Sequence, residues 1–291
     1  MDIGVGLPMK ALDPDDLAEF ATTIEAGPFA SLSLGDRLAY DSHDVLTALT
    51  WVAAITTRLR LMTSVLCLPI YKEGIVAKQA ASLDRLSKGR LSLGLGLGGR
   101  ETDFAVAPTP WEARGARFEE QLATMQRIWR GEPAFDGTMA VGPTPFTPGG
   151  PEVIIGGFVP AALRRAGRMA DGVRSFAFGS DPKVHLDRYA VVQEAWQAAG
   201  RTGRPRLVAA CNFALGPGAH DAFVTHAHTY YGYDEALLAD ALTSDAPTSP
   251  RGILDFIARC EDAGIDELVF TTVTADTMTA MRELADVVGG R

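Results

Sequence analysis

The sequence has few cysteines and no long hydrophobic run. Its three cysteines, Cys67, Cys211 and Cys260, lie far apart, which argues against a disulfide framework or a zinc site and fits a reducing compartment. No apolar stretch reaches the roughly 18 residues that a membrane span needs, and the start of the chain lacks the features of a signal peptide. We therefore expect a cytoplasmic protein with no membrane partner and no metal.

Basic residues are in the minority. The chain has 27 lysines and arginines against 36 acidic residues, which gives a formal charge of −9 and disfavours a broad nucleic-acid-binding surface. Of its 291 residues, 47% are hydrophobic and 22% are charged, a composition that excludes a mainly disordered chain.

Short apolar runs alternate with longer amphipathic runs along the whole chain. This pattern predicts eight strands, within residues 3–7, 29–34, 59–66, 90–95, 153–155, 172–176, 207–213 and 267–272. Eight helices are predicted, starting at residue 13 and then within 43–57, 76–86, 115–129, 160–170, 182–199, 250–264 and 277–287. Alternating strands and helices imply parallel strands. We therefore predict an α/β fold, a single-domain (β/α)8 TIM barrel over residues 1–291, with an open doubly wound sheet as the alternative.

Two insertions interrupt the pattern, at 131–151 and at 216–248. We expect them to extend loops at the carboxyl face of the barrel, as a lid or as an interface. The second contains His226 and His228, whose i, i+2 spacing puts them on different helix faces, so a metal site is not predicted. The nearby Tyr230, Tyr231 and Tyr233 are expected to pack against a lid or a partner.

A glycine-rich run follows the fourth predicted strand. Gly94, Gly96 and Gly99 match the G-x-G-x-x-G dinucleotide fingerprint, but that motif needs a helix to begin there, and prolines follow instead. Two other interpretations remain open: close packing between strands, or a strand end where backbone approaches a flat cofactor.

A second glycine pair, Gly156-Gly157, lies between a strand and the helix predicted to begin at Pro160. Backbone N–H groups at a helix start favour a phosphate or another anion. A tight turn with no ligand explains the same pair equally well.

Several segments in this order resemble one family. They are Leu34-Gly35-Asp36-Arg37, Met62-Thr63-Ser64-Val65, the run from Ala77 to Arg100, Arg114 to Trp129, Ile155-Gly156-Gly157 and Ala170-Asp171-Gly172. The chain is similar to the bacterial-luciferase-like flavin-dependent oxidoreductases (luciferase-like monooxygenases), which include relatives that use the deazaflavin coenzyme F420. The resemblance implies a (β/α)8 barrel, reduced flavin across its carboxyl mouth and a homodimer.

The resemblance also implies cofactor contacts at seven positions. They are a ring-lining carboxylate at Asp36, a bulge with a non-prolyl cis peptide at Ser64 and Val65, a side wall at Leu97 and Gly98, and a phosphate-binding turn at Gly156 and Gly157.

The chain departs from part of this family at Arg37, where deazaflavin-dependent dehydrogenases often carry a catalytic histidine. Arginine stays cationic near neutral pH and cannot cycle a proton. Gly99 stands where those dehydrogenases carry a catalytic glutamate. The catalytic group is therefore unassigned, with Arg37, His43 and Glu101 as candidates.

Three further side chains are expected to serve packing. Cys67 is predicted to be a small buried hydrophobe. Packing of Phe104 and Trp111 in a satellite core is favoured over stacking on a substrate.

The resemblance, together with the departure at Arg37, leads us to expect a monooxygenase that uses reduced FMN and O2 on a small organic substrate, with a separate flavin reductase as a possible partner. The first alternative is an F420-dependent reductase or dehydrogenase that transfers hydride. The second is a flavin-binding, non-catalytic family member.

Overall fold

The computed structural model describes residues 1–291 and contains nine strands and eleven α-helices. The strands are β1 Asp2–Gly6, β2 Ser31–Leu34, β3 Arg60–Thr63, β4 Leu66–Cys67, β5 Leu91–Gly96, β6 Glu152–Gly156, β7 Gly172–Ala177, β8 Arg206–Phe213 and β9 Glu267–Thr272. The helices are α1 Pro14–Ala26, α2 Val45–Ile55, α3 Glu73–Leu86, α4 Glu101–Val106, α5 Arg114–Trp129, α6 Pro160–Met169, α7 Pro182–Ala198, α8 Ala219–Tyr231, α9 Glu235–Thr243, α10 Pro250–Asp262 and α11 Thr277–Gly289. None of the helices combines the length and the apolar character that a bilayer crossing requires.

Side-chain caps set the starts of two predicted helices. Asp181 accepts a hydrogen bond from the Lys183 N–H at 3.0 Å, just before the proline that begins α7. Ser249 does the same for Gly252 at the start of α10, at 3.1 Å. The capping side chain accepts a hydrogen bond from one backbone N–H of the first helical turn. Proline has no N–H, and at the first helical position that N–H would have no partner within the helix.

The chain divides into two compact units. One, the terminal unit, comprises residues 1–8, 22–32 and 157–291. Its parallel pairs are β1 with β9, β8 with β9, and β7 with β8, in a register that sets Asp2 and Val208 opposite Glu267.

The other, the middle unit, comprises residues 9–21 and 33–156. Within it β5 pairs in parallel with β3, β4 and β6. The strand predicted over 59–66 is interrupted at Ser64 and Val65, which separate β3 from β4.

All nine strands belong to one sheet, in the order β3-β2-β1-β9-β8-β7-β6-β5-β4, and β3 pairs additionally with β5. That pairing joins the two ends of the order, so the sheet is closed. The predicted (β/α)8 barrel is thereby confirmed, with β3 and β4 together in the place of the third strand. The assignment of residues 1–291 to one domain stays a prediction.

The two insertions lie at opposite ends of the strands. Residues 216–248 follow β8 at its carboxyl end, as predicted, and contain α8 and α9. Residues 131–151 instead join α5 to β6 and therefore lie at the amino ends, which corrects the expectation for that insertion. Two hydrogen bonds fix it there: Lys78 donates to the Gly142 carbonyl at 2.7 Å, and the Thr147 N–H donates to Asp84 at 2.8 Å.

Candidate active site

Asp36 follows β2 and holds the centre of a small polar cluster in the middle unit. One carboxylate oxygen accepts the Cys67 N–H at 2.9 Å, and the other accepts the Tyr71 hydroxyl at 3.0 Å. Burial, with the fields of Asp44 and Asp103 adding to it, raises the pKa of Asp36 to about 6 although both hydrogen bonds act to lower it. Asp36 can therefore gain or lose a proton close to neutral pH.

Arg37, the next residue, is bound to an acidic partner. Its Nε donates to Asp103 Oδ2 at 2.9 Å, with both side chains largely buried. The other Asp103 oxygen accepts the Ala39 N–H at 2.7 Å, and the Arg37 guanidinium lies 5.1 Å from the Tyr40 ring centroid. Arg37 thus has a structural partner in Asp103, a residue of α4.

The other two catalytic candidates have separate surroundings. His43 Nε2 lies 2.7 Å from the Leu12 carbonyl oxygen, to which it donates a hydrogen bond. Glu101 is exposed in the first turn of α4, a helix that sequence analysis did not predict. Arg37, His43 and Glu101 therefore do not share one contact network.

A cis peptide bond joins Ser64 to Val65, as the resemblance implied. The Ser64 N–H donates to the Leu34 carbonyl at 2.7 Å, which ties this break to the end of β2. The two methyl groups of Val65 occupy the space beside two glycines. A Cβ on Gly96 would lie 2.5 Å from one methyl, and a Cβ on Gly156 would lie 2.9 Å from the other.

The glycine run of β5 is explained mainly by packing. A Cβ on Gly94 would overlap the Thr63 carbonyl oxygen, and Gly98, at φ +77°, would overlap the Cys67 sulfur. Gly99 has open space around it. Close strand packing thus accounts for Gly94 and Gly96 without a dinucleotide, while Leu97 and Gly98 are half-buried at the strand end.

Gly157 has a packing role of its own. A Cβ there would overlap the Ala162 Cβ in the first turn of α6. The helix begins at Pro160, as predicted, and the Ala162 N–H donates to the Val159 carbonyl at 2.9 Å. This contact explains the glycine without a ligand, so the phosphate-binding role of Gly156 and Gly157 stays a prediction.

The aromatic loop after β5 forms a satellite core. Cys67, Ile70 and Phe104 are buried together, and Trp111 packs edge-on against Phe104 with ring centroids 4.9 Å apart. The predictions for Cys67, Phe104 and Trp111 are confirmed. Burial raises the pKa of the Cys67 thiol to about 12, which keeps it protonated and unreactive.

A second cluster lies in the terminal unit, and sequence analysis had singled out only its residues in the insertion 216–248. It contains Arg174 and Phe176 on β7, Phe178 just beyond, and the α8 residues His226 and Tyr231. For Arg174 and Phe176 the only sequence signal is their alternation in a short apolar strand, which does not reveal what faces them.

The closed parallel barrel thus carries a carboxyl that titrates close to neutral pH, Asp36, just after the end of β2. The model of the luciferase-like monooxygenase family matches residues 1–245, and the chain belongs to this family. The resemblance on which the sequence expectations rested is therefore confirmed.

Curated relatives match over part of their length. An F420-dependent glucose-6-phosphate dehydrogenase of Nakamurella multipartita is 32% identical over 192 residues, which are 60% of this chain and 55% of that protein. An enzyme of the same name from Beutenbergia cavernae is 35% identical over 174 residues, 55% of this chain and 52% of that one. The chain thus spans only about half the length of these relatives.

Solved structures share the fold across the whole chain. The coenzyme F420 dependent tetrahydromethanopterin reductase of Methanopyrus kandleri has a TM-score of 0.80 and 19% identity, covering 99% of this chain and 98% of that one. The oxygenating constituent of 3,6-diketocamphane monooxygenase from Pseudomonas putida, solved with FMN, has a TM-score of 0.75 and 16% identity, covering 99% and 96%. At these identities the likeness concerns the fold alone.

Proposed function

We propose that this chain is a coenzyme F420-dependent oxidoreductase that transfers hydride between the deazaflavin and a small organic substrate. The observation that carries the proposal is Asp36, a part-buried carboxyl with a pKa of about 6 at the carboxyl end of β2. Reduction of a polar double bond by hydride also adds a proton, and the reverse oxidation releases one; a group that titrates near neutral pH can donate or accept that proton. The names of the relatives with 32–35% identity support the choice of cofactor.

The strand ends of the middle unit fit a flat ring. Val65 and Leu97 offer half-buried apolar side chains. The residues that would hold the cofactor are those named from the resemblance: Asp36, Ser64, Val65, Leu97, Gly98, Gly156 and Gly157.

The chain's own part in the reaction is to orient the reactants and to move a proton. The deazaflavin, when bound, supplies or accepts the hydride. The Cys67 N–H and the Tyr71 hydroxyl each donate to one Asp36 oxygen, so the orientation of this carboxyl group is fixed. Arg37 orients the loop after β2 through Asp103 and takes no proton itself.

Titration of the purified protein with coenzyme F420, FMN and FAD, followed by fluorescence, tests the cofactor. We expect F420 to bind at least tenfold more tightly than FMN. Tight FMN binding without F420 binding would contradict the proposal.

The pH dependence of turnover tests the role of Asp36. We expect an inflection near pH 6 that disappears in Asp36→Asn. The matched control is Asp136→Asn, which removes an exposed carboxyl of the same unit. An unchanged inflection in Asp36→Asn would remove Asp36 from the proton path.

The second candidate function is a monooxygenase that takes reduced FMN from a separate reductase and uses O2. The Arg37–Asp103 pair favours it, because a fixed arginine stands where related dehydrogenases carry histidine. Substrate loss that requires O2 and reduced FMN would support this candidate. Cofactor binding without turnover under either condition would favour a non-catalytic flavin-binding role.

A further inference from the structure

Arg174 lies on the face of β7 that points away from the helices. Side chains alternate along a strand, so Ser175 and Arg174 face opposite sides. Ser175 Oγ lies 2.9 Å from Nδ1 of His185 on α7, which identifies the helix-facing side. Arg174 and Phe176 therefore share the inner face of the strand.

The Arg174 guanidinium is incompletely satisfied. Its Nε is buried and has no hydrogen-bond partner. The carboxylate that acts on it, Glu267, already accepts hydrogen bonds from Arg206 and Ser31. Burial lowers the pKa of Arg174 to about 10, so it remains cationic at neutral pH. A buried donor without a partner is costly, and an anion with two acceptor oxygens would satisfy it.

A second guanidinium adds positive charge beside this strand. Arg188 Nη1 donates to Ser175 Oγ at 3.2 Å and to the Phe176 carbonyl, and its guanidinium lies 5.1 Å from the Phe158 ring centroid. These contacts hold Arg188, a residue of α7, against the helix-facing side of β7.

A row of aromatic rings continues from Phe176. Its ring centroid is 5.2 Å from that of Phe178, which is 4.8 Å from Tyr231, and both pairs meet edge to face. All three rings are part-exposed. Beside them, burial lowers the pKa of His226 to about 4, so this imidazole is neutral and adds no charge. The row therefore offers apolar ring surface next to one unpaired cation.

We propose that Arg174, with the aromatic row of Phe176, Phe178 and Tyr231, binds a planar aromatic carboxylate. The carboxylate pairs with the guanidinium and the ring packs on the aromatic row. That such carboxylates are substrates of the enzyme rests on the proposed function. That they bind at Arg174 can be tested without any cofactor.

Calorimetric titration with trans-cinnamate and with its neutral analogue trans-cinnamamide, in the absence of cofactor, tests the site. We expect the wild-type protein to bind cinnamate at least about tenfold more tightly than the amide, as a charge-assisted hydrogen bond would give. Arg174→Gln should abolish that preference, and Arg174→Lys should keep part of it. Arg251→Gln, at an exposed arginine of the same unit, is the matched control and should bind like the wild type.

Phe178→Leu tests the aromatic row independently, because it leaves the charge of Arg174 unchanged. It should weaken both ligands by several-fold and preserve their ratio. No binding of cinnamate to the wild type, or an unchanged preference in Arg174→Gln, would overturn the inference.

Measurements of coenzyme F420 binding show whether a negative result concerns this site or the proposed function. Arg174→Gln should retain wild-type affinity for coenzyme F420, and a matching loss of that affinity would assign Arg174 to the cofactor and overturn the inference. Arg174-dependent binding of cinnamate by a protein that binds no F420 would support the site and refute the proposed function.

Discussion

Arg37 and Asp103 form a largely buried ion pair across 66 residues of sequence, with Nε and Oδ2 2.9 Å apart. The pair connects the loop after β2 to α4, the helix after β5. Because Asp103 also accepts the Ala39 N–H, the contact fixes the main chain beside Asp36 as well as the arginine itself.

Replacing one partner of this ion pair should lower the free energy of unfolding more than replacing both partners with apolar residues. We expect Arg37→Met to lower the free energy of unfolding by about 3–5 kcal/mol, because it leaves Asp103 buried without its counter-charge. Arg37→Met combined with Asp103→Leu should cost less than Arg37→Met alone. Denaturant unfolding measures both, with Arg251→Met as an exposed control. A loss no larger than the control's would show that the pair adds nothing to stability.

The raised pKa of Asp36 predicts a pH dependence of stability. The folded protein holds this proton more tightly than the unfolded chain, so the contribution is fully present below about pH 4 and is lost as the pH rises through about 6. Between pH 4 and 7, wild type should lose about 2–3 kcal/mol of unfolding free energy relative to Asp36→Asn. Chemical unfolding across this range provides the measurement. If the unfolding free energies of wild type and Asp36→Asn depended on pH in the same way, the raised pKa of Asp36 would be contradicted.

The glycines of the run from Gly94 to Gly99 should differ sharply in how far substitution by alanine destabilises the protein. Gly94→Ala places a Cβ on the Thr63 carbonyl, which is backbone and cannot rotate away, so we expect a loss of about 1–3 kcal/mol or more. Gly99→Ala meets nothing within 4 Å and should have little effect. Thermal unfolding compares the two, and equal melting temperatures would refute the packing explanation.

The predicted phosphate-binding role of Gly157 needs a test that separates charge from packing. Gly157→Ala should destabilise the protein, and Ala162→Gly in the same chain should restore it, because the two Cβ atoms overlap. In the Ala162→Gly background, Gly157→Asp should weaken F420 or FMN binding at least tenfold more than Gly157→Asn, through repulsion of a phosphate. Equal affinities of the Asp and Asn variants would place the phosphate elsewhere.

The sequence predicted the barrel well because its signals are local. Runs such as Glu267–Thr272 and caps such as Asp181 before Pro182 depend on neighbours in the chain, and they appear in the structure nearly where predicted. The short helix Glu101–Val106 was missed because Pro108 and Pro110 made its surroundings resemble a loop, although the helix ends before both.

The candidate site was harder to predict because its contacts join distant residues. Composition and periodicity do not reveal that Asp36 meets Tyr71 or that Arg37 meets Asp103. The cis bond at Ser64–Val65 was available only through the family resemblance, since no local preference favours it. The alternation of Arg174 with Phe176 was not enough to single out Arg174, because a sequence does not show that the buried Nε has no hydrogen-bond partner.

The position of Val65 between two glycines also bears on how this protein can change over evolutionary time. Its methyl groups occupy the volume in which side chains at Gly96 and Gly156 would begin. A larger residue at either glycine is therefore acceptable only after Val65 has become smaller, so the order of substitutions matters. We expect these three positions to covary among homologues. Once Val65 has been replaced by a smaller residue, larger residues at the two glycines can change the shape of the barrel mouth.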